Sequence, residues 1–191
     1  MANGHKFDPK RIERLKNPDR LRYMNPEVIW DLIAPAQPET LIDVGTGVGF
    51  YAIPFSRKMP EGRVYACDLL EEMLEHLRKE LEADPAPNVI PVKTEEVAIP
   101  LPDGIGDAVL MVNLHHELDH PEESLEEARR LLRKGGILAI VDWKPAETPE
   151  GPPLERRVPQ ATVRAQLERS GFRDIREHPE LPNHYAITAR S

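Results

Sequence analysis

Leu41-Ile42-Asp43-Val44-Gly45-Thr46-Gly47-Val48-Gly49-Phe50 is the stretch that decides the fold. Its apolar start has the composition of a buried strand, and a helical pattern follows it. Glycine lets the backbone turn sharply and lets a ligand approach without a Cβ in the way. The spacing is G-x-G-x-G, which differs from the G-x-G-x-x-G that wraps a dinucleotide pyrophosphate. Residues 41–50 therefore predict a ligand-binding turn, and a tight turn without a ligand is the competing interpretation.

Two acidic residues accompany this turn. Asp43 ends the first predicted strand, where a carboxylate would repel a diphosphate but would suit a ligand that carries an ammonium and a sulfonium group. Asp68 ends the strand Val64–Cys67, roughly 20 residues past the last glycine, as Rossmann folds place a ribose-binding acid. Asp68 is also a favoured N-cap for the helix that follows, and both roles stay open.

Short apolar runs alternate with longer amphipathic segments along the middle of the chain. The predicted strands are Thr40–Val44, Arg63–Cys67, Val89–Val92, Ala108–Asn113 and Ile137–Asp142. The predicted helices between them are Gly49–Met59, Leu70–Ala83 and Glu122–Arg133. This alternation is typical of a parallel sheet that is covered by helices on both faces and binds its ligand at the carboxyl ends of the strands.

The last part of the chain breaks this rhythm. A predicted helix, Thr162–Ser170, precedes two short predicted strands, Arg173–His178 and His184–Ala189. The segment between these strands is too short for a crossover helix, so they must pair antiparallel. We therefore predict a Rossmann-like, doubly wound α/β fold, with a mostly parallel seven-stranded sheet and a C-terminal antiparallel hairpin. Residues 1–38 are expected to form an N-terminal helical or lid segment, and residues 39–191 the ligand-binding domain.

Composition narrows the class of protein. The 191 residues have a net charge of -8, with no basic stripe, which argues against a nucleic-acid partner. No apolar run approaches the roughly 20 residues of a membrane span, and the N-terminus lacks the apolar core of a signal peptide. The single cysteine, Cys67, excludes an intramolecular disulfide and is expected to pack as a small buried hydrophobe. These features favour a cytoplasmic protein.

The candidates for catalysis follow the fourth predicted strand. His115, His116 and Glu117 place two imidazoles and a carboxylate at the edge where the ligand is expected. Histidine is the usual general base near neutral pH, and a neighbouring carboxylate would orient it. His115 as a solvated loop residue is the alternative. No metal site is predicted, because the next helix begins only near Pro121 and His116 and His120 then share no helix face.

Together these motifs resemble those of class I S-adenosylmethionine-dependent methyltransferases, in particular the group of ubiquinone and menaquinone C-methyltransferases and arsenite methyltransferases. Residues 43–49 match the first motif of that family, and Asp68 matches its ribose-binding acid. Residues 94–103 resemble its adenine-contacting segment, with Glu95 where the family usually has an aspartate. Cys67, as a lone cysteine, departs from the several thiols that arsenite methyltransferases need.

The resemblance implies a cofactor, S-adenosyl-L-methionine, and methyl transfer to a small-molecule acceptor. The residues that it implies as cofactor contacts are Asp43, Gly45, Thr46, Gly47, Gly49, Phe50, Asp68, Leu69, Glu95, Glu96 and Asn113. A nicotinamide-dependent reductase and a non-catalytic S-adenosylmethionine-binding module are the alternatives. A monomer and a homodimer are equally compatible with the sequence.

Overall fold

The computed structural model describes Ile12 and residues 24–191. Most of the predicted N-terminal segment, residues 1–38, therefore lies outside the described residues. The part that is described contains the helix α1, Pro26–Ile33. The Asn25 side chain accepts a hydrogen bond from the N–H of Glu27, and Pro26 occupies the first helical position, so this start is capped as helix starts commonly are.

Seven strands form one sheet in the order β3-β2-β1-β4-β5-β7-β6. The strands are β1 Thr40–Val44, β2 Arg63–Asp68, β3 Val89–Lys93, β4 Gly106–Val112, β5 Leu132–Trp143, β6 Arg173–His178 and β7 His184–Arg190. The other α-helices are α2 Ala52–Lys58, α3 Glu71–Ala83, α4 Pro121–Leu131 and α5 Gln160–Arg169. Strands β1 to β5 pair parallel, and β7 pairs antiparallel with both β5 and β6. The predicted fold class is confirmed.

The helices cover both faces of the sheet, because each parallel connection must cross over one face or the other. One apolar cluster joins α1, α2 and α3 to the sheet, through buried residues such as Ile29, Phe55 and Leu74. A second cluster on the other face joins α4 and α5 to the sheet, through Leu125 and Leu167 among others. In the part of the chain that the structure describes, none of the helices has the length and apolarity to cross a membrane.

The beginning of β5 differs from the prediction. The sequence predicted a helix through Arg133 and a strand from Ile137, whereas α4 ends at Leu131 and β5 begins at Leu132. Gly106 faces Leu132 but Ala108 faces Ile137, so residues 133–136 bulge out of the pairing. Gly135 has a φ of 76° in this bulge, a value that glycine adopts without strain.

The topology gathers the ends of several strands at one edge of the sheet. The carboxyl ends of the parallel strands β1, β2, β4 and β5 share that edge, and the antiparallel strand β7 begins there with His184. Parallel α/β sheets bind their ligands outside this edge. The side chains that follow these strand ends therefore define the candidate site.

Candidate active site

The glycine turn connects β1 to α2 and needs its glycines for two reasons. Gly45, Gly47 and Gly49 have φ values of 73°, 57° and 82°. A Cβ at Gly49 would lie 2.5 Å from the Leu77 side chain, and one at Gly45 would lie 2.9 Å from that of Leu114. The positive φ values disfavour any residue other than glycine at these three positions, and at Gly45 and Gly49 a Cβ would also force a leucine side chain to shift.

Asp43 lies buried beneath this turn, with 2% of its surface exposed. The Thr46 hydroxyl donates a hydrogen bond to Asp43 Oδ2 at 2.7 Å. Burial raises the pKa of Asp43 to about 7, which the bond from Thr46 opposes and the nearby charge of Asp68 reinforces. A carboxylate held in this way gains from a positive charge placed close to it.

Asp68, at the end of β2, ties the glycine turn to the start of α3. Its Oδ2 accepts the N–H of Gly47, and its Oδ1 accepts that of Leu70, each at 2.8 Å. Burial raises the pKa of Asp68 although these N–H groups lower it. The N-cap of α3 is Leu70, which lacks a side-chain cap, so the prediction that Asp68 is the N-cap is wrong. Each carboxylate oxygen of Asp68 can still accept a second hydrogen bond, as a ribose diol requires.

Asn113, directly after β4, carries a second polar group at the same edge. Its φ is 55°, a left-handed conformation that asparagine tolerates better than most residues. Its N–H donates to Val141 O, while its side-chain Oδ1 is buried without a hydrogen-bond partner among the described residues. An unpaired buried acceptor commonly marks a place where a donor on a ligand or a water binds.

These observations fit S-adenosylmethionine. The ligand brings an ammonium, a sulfonium and a ribose diol, which are cations and donors. Asp43 and Asp68 offer carboxylates, Asn113 offers an unpaired oxygen, and the glycine turn leaves room for close approach.

The other predicted cofactor residues lie around this turn with differing contacts. Phe50 is half-buried, with its ring edge-to-face against Tyr51 at a centroid distance of 5.0 Å. Leu69 is half-buried between Asp68 and α3. Glu95 is exposed in the turn after β3, and its N–H donates to Ala98 O. Contact of these three residues with the cofactor stays a prediction.

Glu96 makes a different kind of contact. Its Oε1 accepts the N–H groups of Asp119 and His120, both at 2.7 Å, and so ties the turn after β3 to the start of α4. This carboxylate oxygen is already engaged with backbone donors. A cofactor contact by Glu96 stays a prediction, and a loop-bracing role accounts for the contacts that are seen.

A histidine–aspartate pair lies at the same edge of the sheet. His116 Nδ1 lies 2.7 Å from Asp142 Oδ1, and the His116 N–H donates to Asp142 Oδ2 at 2.9 Å. The Trp143 N–H also donates to Asp142 Oδ1, at 2.7 Å. Both side chains are buried, at 6% and 1% exposure. The ring is therefore fixed in orientation, with Nε2 on the side away from Asp142, as in histidines that act as bases.

The contact between the two side chains shifts both pKa values in the direction that favours an ion pair: up for His116 and down for Asp142. Burial lowers the pKa of His116, but the hydrogen bond and charge of Asp142 and the charge of Glu117 raise it further, and the net shift is upward. Burial raises the pKa of Asp142, but the contacts with His116 and the N–H of Trp143 prevail and lower it. We name His116 and Asp142 the dyad.

Glu117 and His115 flank the dyad differently. Glu117 Oε1 lies 3.7 Å from His116 Nε2, whereas the hydrogen-bond partner of the His116 ring is Asp142. A catalytic role for Glu117 stays a prediction. His115 is 2% exposed and its Nε2 lies 2.9 Å from Gln166 Oε1, so the solvated-loop alternative is wrong. Burial lowers the pKa of His115, which keeps it neutral. Its packing against α5 explains its position, and a catalytic role for it stays a prediction.

Asp142 was not among the predicted catalytic residues, although it ends a predicted strand at the ligand edge. It is the last residue but one of β5, and β4 and β5 are neighbours in the sheet, so the residues at the carboxyl ends of both strands meet at one edge. Within residues 24–191 and at Ile12, no group of three or more histidine, cysteine or acidic residues is placed to hold a metal ion. Cys67 is fully buried, as expected.

Comparisons with known proteins agree with this geometry. The family model described as "Methyltransferase domain" matches residues 42–140. The crystal structure of a SAM dependent methyltransferase from Aquifex aeolicus is 35% identical in sequence, covers 97% of this chain and 99% of that chain, and superposes with a TM-score of 0.89.

Two curated proteins are similar over the central part of the chain. The ubiquinone/menaquinone biosynthesis C-methyltransferase of Paracoccus denitrificans is 32% identical over 120 residues, which is 62% of this chain and 48% of that protein. The demethylmenaquinone methyltransferase of Thermus thermophilus is 30% identical over 115 residues, or 60% and 52% of the two chains. This chain thus spans about half the length of these curated relatives.

Proposed function

We propose that this chain, which belongs to the methyltransferase domain family, methylates a small phenolic or quinol-type acceptor that the dyad deprotonates. The class predicted from the sequence, an S-adenosylmethionine-dependent methyltransferase of class I, is confirmed by the family and the fold. The family match removes the nicotinamide-dependent reductase from consideration. The acceptor and the role of each residue are what we propose.

The observation that carries the proposal is the orientation of His116 by Asp142. When bound, S-adenosylmethionine supplies a methyl carbon that a nucleophile attacks in line with the sulfur, and S-adenosylhomocysteine is the product. A thiol with a pKa near 8.5 is already a few per cent thiolate at about pH 7, whereas a phenol with a pKa near 10 is about 0.1% ionised and depends far more on a base. A buried histidine whose pKa is raised by a carboxylate is suited to a phenol for that reason.

The residues of this chain divide the work as follows. His116 Nε2 takes the hydroxyl proton of the acceptor, and Asp142 stabilises the imidazolium that forms. The electron density left on the phenolate makes its oxygen or a ring carbon the nucleophile. The glycine turn, Asp43 and Asp68 hold the cofactor in place, and alignment of this kind supplies much of the rate enhancement in bimolecular reactions. The two quinone-related relatives support a quinol as the first acceptor to test.

The experiment measures release of S-adenosylhomocysteine with quinol, simple phenol, thiol and chalcogenide acceptors. We expect turnover with a quinol or phenol, and a loss of about 10²- to 10⁴-fold in kcat in His116→Asn. His120→Asn is the matched control, because His120 is exposed nearby and pairs with Glu123. Turnover with thiols alone, or equal activity of the two variants, would contradict the proposal. Cofactor binding without any methylated product would favour the non-catalytic module.

A further inference from the structure

The segment that follows the dyad strand, residues 144–157, is an irregular loop except for a single 3-10 turn at Leu154–Arg156. It starts directly after β5, at the ligand edge, and Arg156 lies within electrostatic range of the His116 ring. Loops of this length without regular structure are uncommon in compact domains and are usually functional or disordered. We name residues 144–157 the acceptor wall.

The acceptor wall is rich in residues that lack a backbone donor. Its four prolines, at positions 145, 149, 152 and 153, carry no N–H group. Backbone carbonyls in such a segment need donors from elsewhere or remain in contact with water. A side chain that offers several N–H groups can bind carbonyls of this loop that its own backbone leaves without a donor.

Arg157 is that side chain. It is 8% exposed, and its guanidinium donates to the carbonyls of Pro152 at 3.0 Å, Lys144 at 3.2 Å and Glu150 at 3.3 Å. It also donates to the carbonyl of Ala146. The five N–H groups of a planar guanidinium suit it to several acceptors at once. One residue thus holds carbonyls along most of the acceptor wall.

Two further contacts fix the acceptor wall to the sheet. The Arg157 guanidinium lies 5.3 Å from the ring centre of Trp143, the residue next to Asp142. The Lys144 ammonium donates to the carbonyls of Leu181 and Pro182 in the turn before β7. A Cβ added at Gly151 would lie 2.9 Å from both Arg157 and the Trp143 ring, so the packing there is tight.

We propose that Arg157 is a positioning residue that holds residues 144–157 as a fixed wall of the acceptor pocket beside the dyad. The inference rests on the proposed function, because the pocket is the one where the acceptor meets His116. Arg157 takes no part in the chemical steps of the reaction. Arg157 keeps the acceptor wall ordered before the acceptor binds, so acceptor binding does not have to spend free energy on ordering this loop. Cofactor binding is not affected.

The test compares Arg157→Met with wild type and with the control Arg164→Met. Methionine keeps an apolar stem and removes every donor, and Arg164 is an exposed arginine of α5 that pairs with acidic residues. We expect the acceptor KM of Arg157→Met to rise about tenfold or more, with the KM for S-adenosylmethionine within about twofold of wild type. We also expect amide hydrogen exchange in residues 144–157 to become about tenfold faster while that of β4 and β5 is unchanged.

Gly151→Ala provides a second variant in case Arg157→Met fails to fold. The φ of 119° at Gly151 disfavours alanine, and the added Cβ would crowd Arg157 and Trp143. The variant therefore disturbs the acceptor wall without removing either side chain, and we expect the same split between the two KM values. Unchanged exchange in residues 144–157, or an equal rise in both KM values, overturns the proposal. A wild type that turns over no phenol or quinol contradicts the proposed function instead. The exchange measurement still decides on Arg157 in that case, and KM is then measured with the acceptor that is turned over.

Discussion

Asp43 and Asp142 are both buried aspartates near the carboxyl ends of strands, yet their pKa values are shifted in opposite directions. Asp43 lies with the glycine turn and Asp68 in the half of the edge that we propose binds the cofactor, here named the cofactor half, and burial above all raises its pKa to about 7. Asp142 lies with His116 and the acceptor wall in the half that we propose binds the acceptor, here named the acceptor half. Its pKa is lowered because His116 and backbone N–H groups outweigh its burial.

The difference teaches what each half lacks. In the acceptor half, the charge of Asp142 is balanced by protonated His116, so this pair needs no charged ligand. In the cofactor half, no described cation shapes the pKa of Asp43, and its main stabilising contact is the neutral hydroxyl of Thr46. A buried carboxylate of that kind favours a positively charged ligand. The two halves can therefore be separated by substitution.

The largest effect is expected for Asp142→Asn in the acceptor half. Loss of the carboxylate lowers the pKa of His116 and removes the group that orients it. We expect kcat to fall by about 10²- to 10⁴-fold and the rising limb of its pH profile to move to lower pH. The wild-type limb should lie above pH 6.5, because the base must lose a proton whose pKa is raised. Steady-state rates between pH 5 and 9 measure both quantities.

Cofactor binding serves as the control for Asp142→Asn. Calorimetry should give the same affinity for S-adenosylmethionine as in wild type, because the contacts of Asp68 and the glycine turn are intact. A pH profile that does not move would show that Asp142 does not act on the base. If Asp142→Asn lost both affinity for S-adenosylmethionine and kcat, the two halves could not be separated by substitution.

A smaller effect is expected for Asp68→Asn in the cofactor half. Asparagine can still accept a backbone N–H, but it lacks the charge that strengthens hydrogen bonds from ribose hydroxyls. We expect the Kd for S-adenosylmethionine to rise about 10- to 100-fold, with kcat at saturation changed only a few-fold. Isothermal calorimetry checks this against Glu71→Gln, an exposed acid that pairs with Arg78. An unchanged Kd would leave Asp68 only with its hydrogen bonds to the backbone of Gly47 and Leu70.

The smallest effect, and one of opposite sign, is expected on stability in Asp43→Asn. The folded-state pKa of about 7 lies above the unfolded value of 3.8, so the folded chain holds a proton that the unfolded chain releases in that window. Stability supplied by Asp43 is therefore lost as pH rises from 4 to 7. Without cofactor, the free energy of unfolding of Asp43→Asn at pH 8 should exceed that of wild type by about 1 kcal/mol or more.

Chemical unfolding at pH 5 and pH 8 measures this difference, with Asp31→Asn as an exposed control. We expect the gain to be larger at pH 8 than at pH 5, and to be offset when S-adenosylmethionine is added, because the variant binds it more weakly. A variant that is less stable than wild type at both pH values would show that Asp43 is satisfied without a ligand.

Several elements of the fold could be predicted because their causes are local. The glycine turn needs positive φ values that only a few residue types adopt, and the hairpin of β6 and β7 follows from the short segment between them. The insertion of β7 between β5 and β6 has no local cause. It depends on which sheet edge is still open, and the same holds for the bulge at residues 133–136.

The sequence by itself determined the cofactor half, since Asp43, the three glycines and Asp68 are spaced by strand and turn geometry within one β-α-β unit. Only the tertiary structure decided the acceptor half. His116 and Asp142 meet because β4 and β5 pair in register, and Arg157 reaches the acceptor wall because the chain folds back over β5. Periodicity and turn preferences act over a few residues, whereas the pairing of distant strands is set by how the whole core packs.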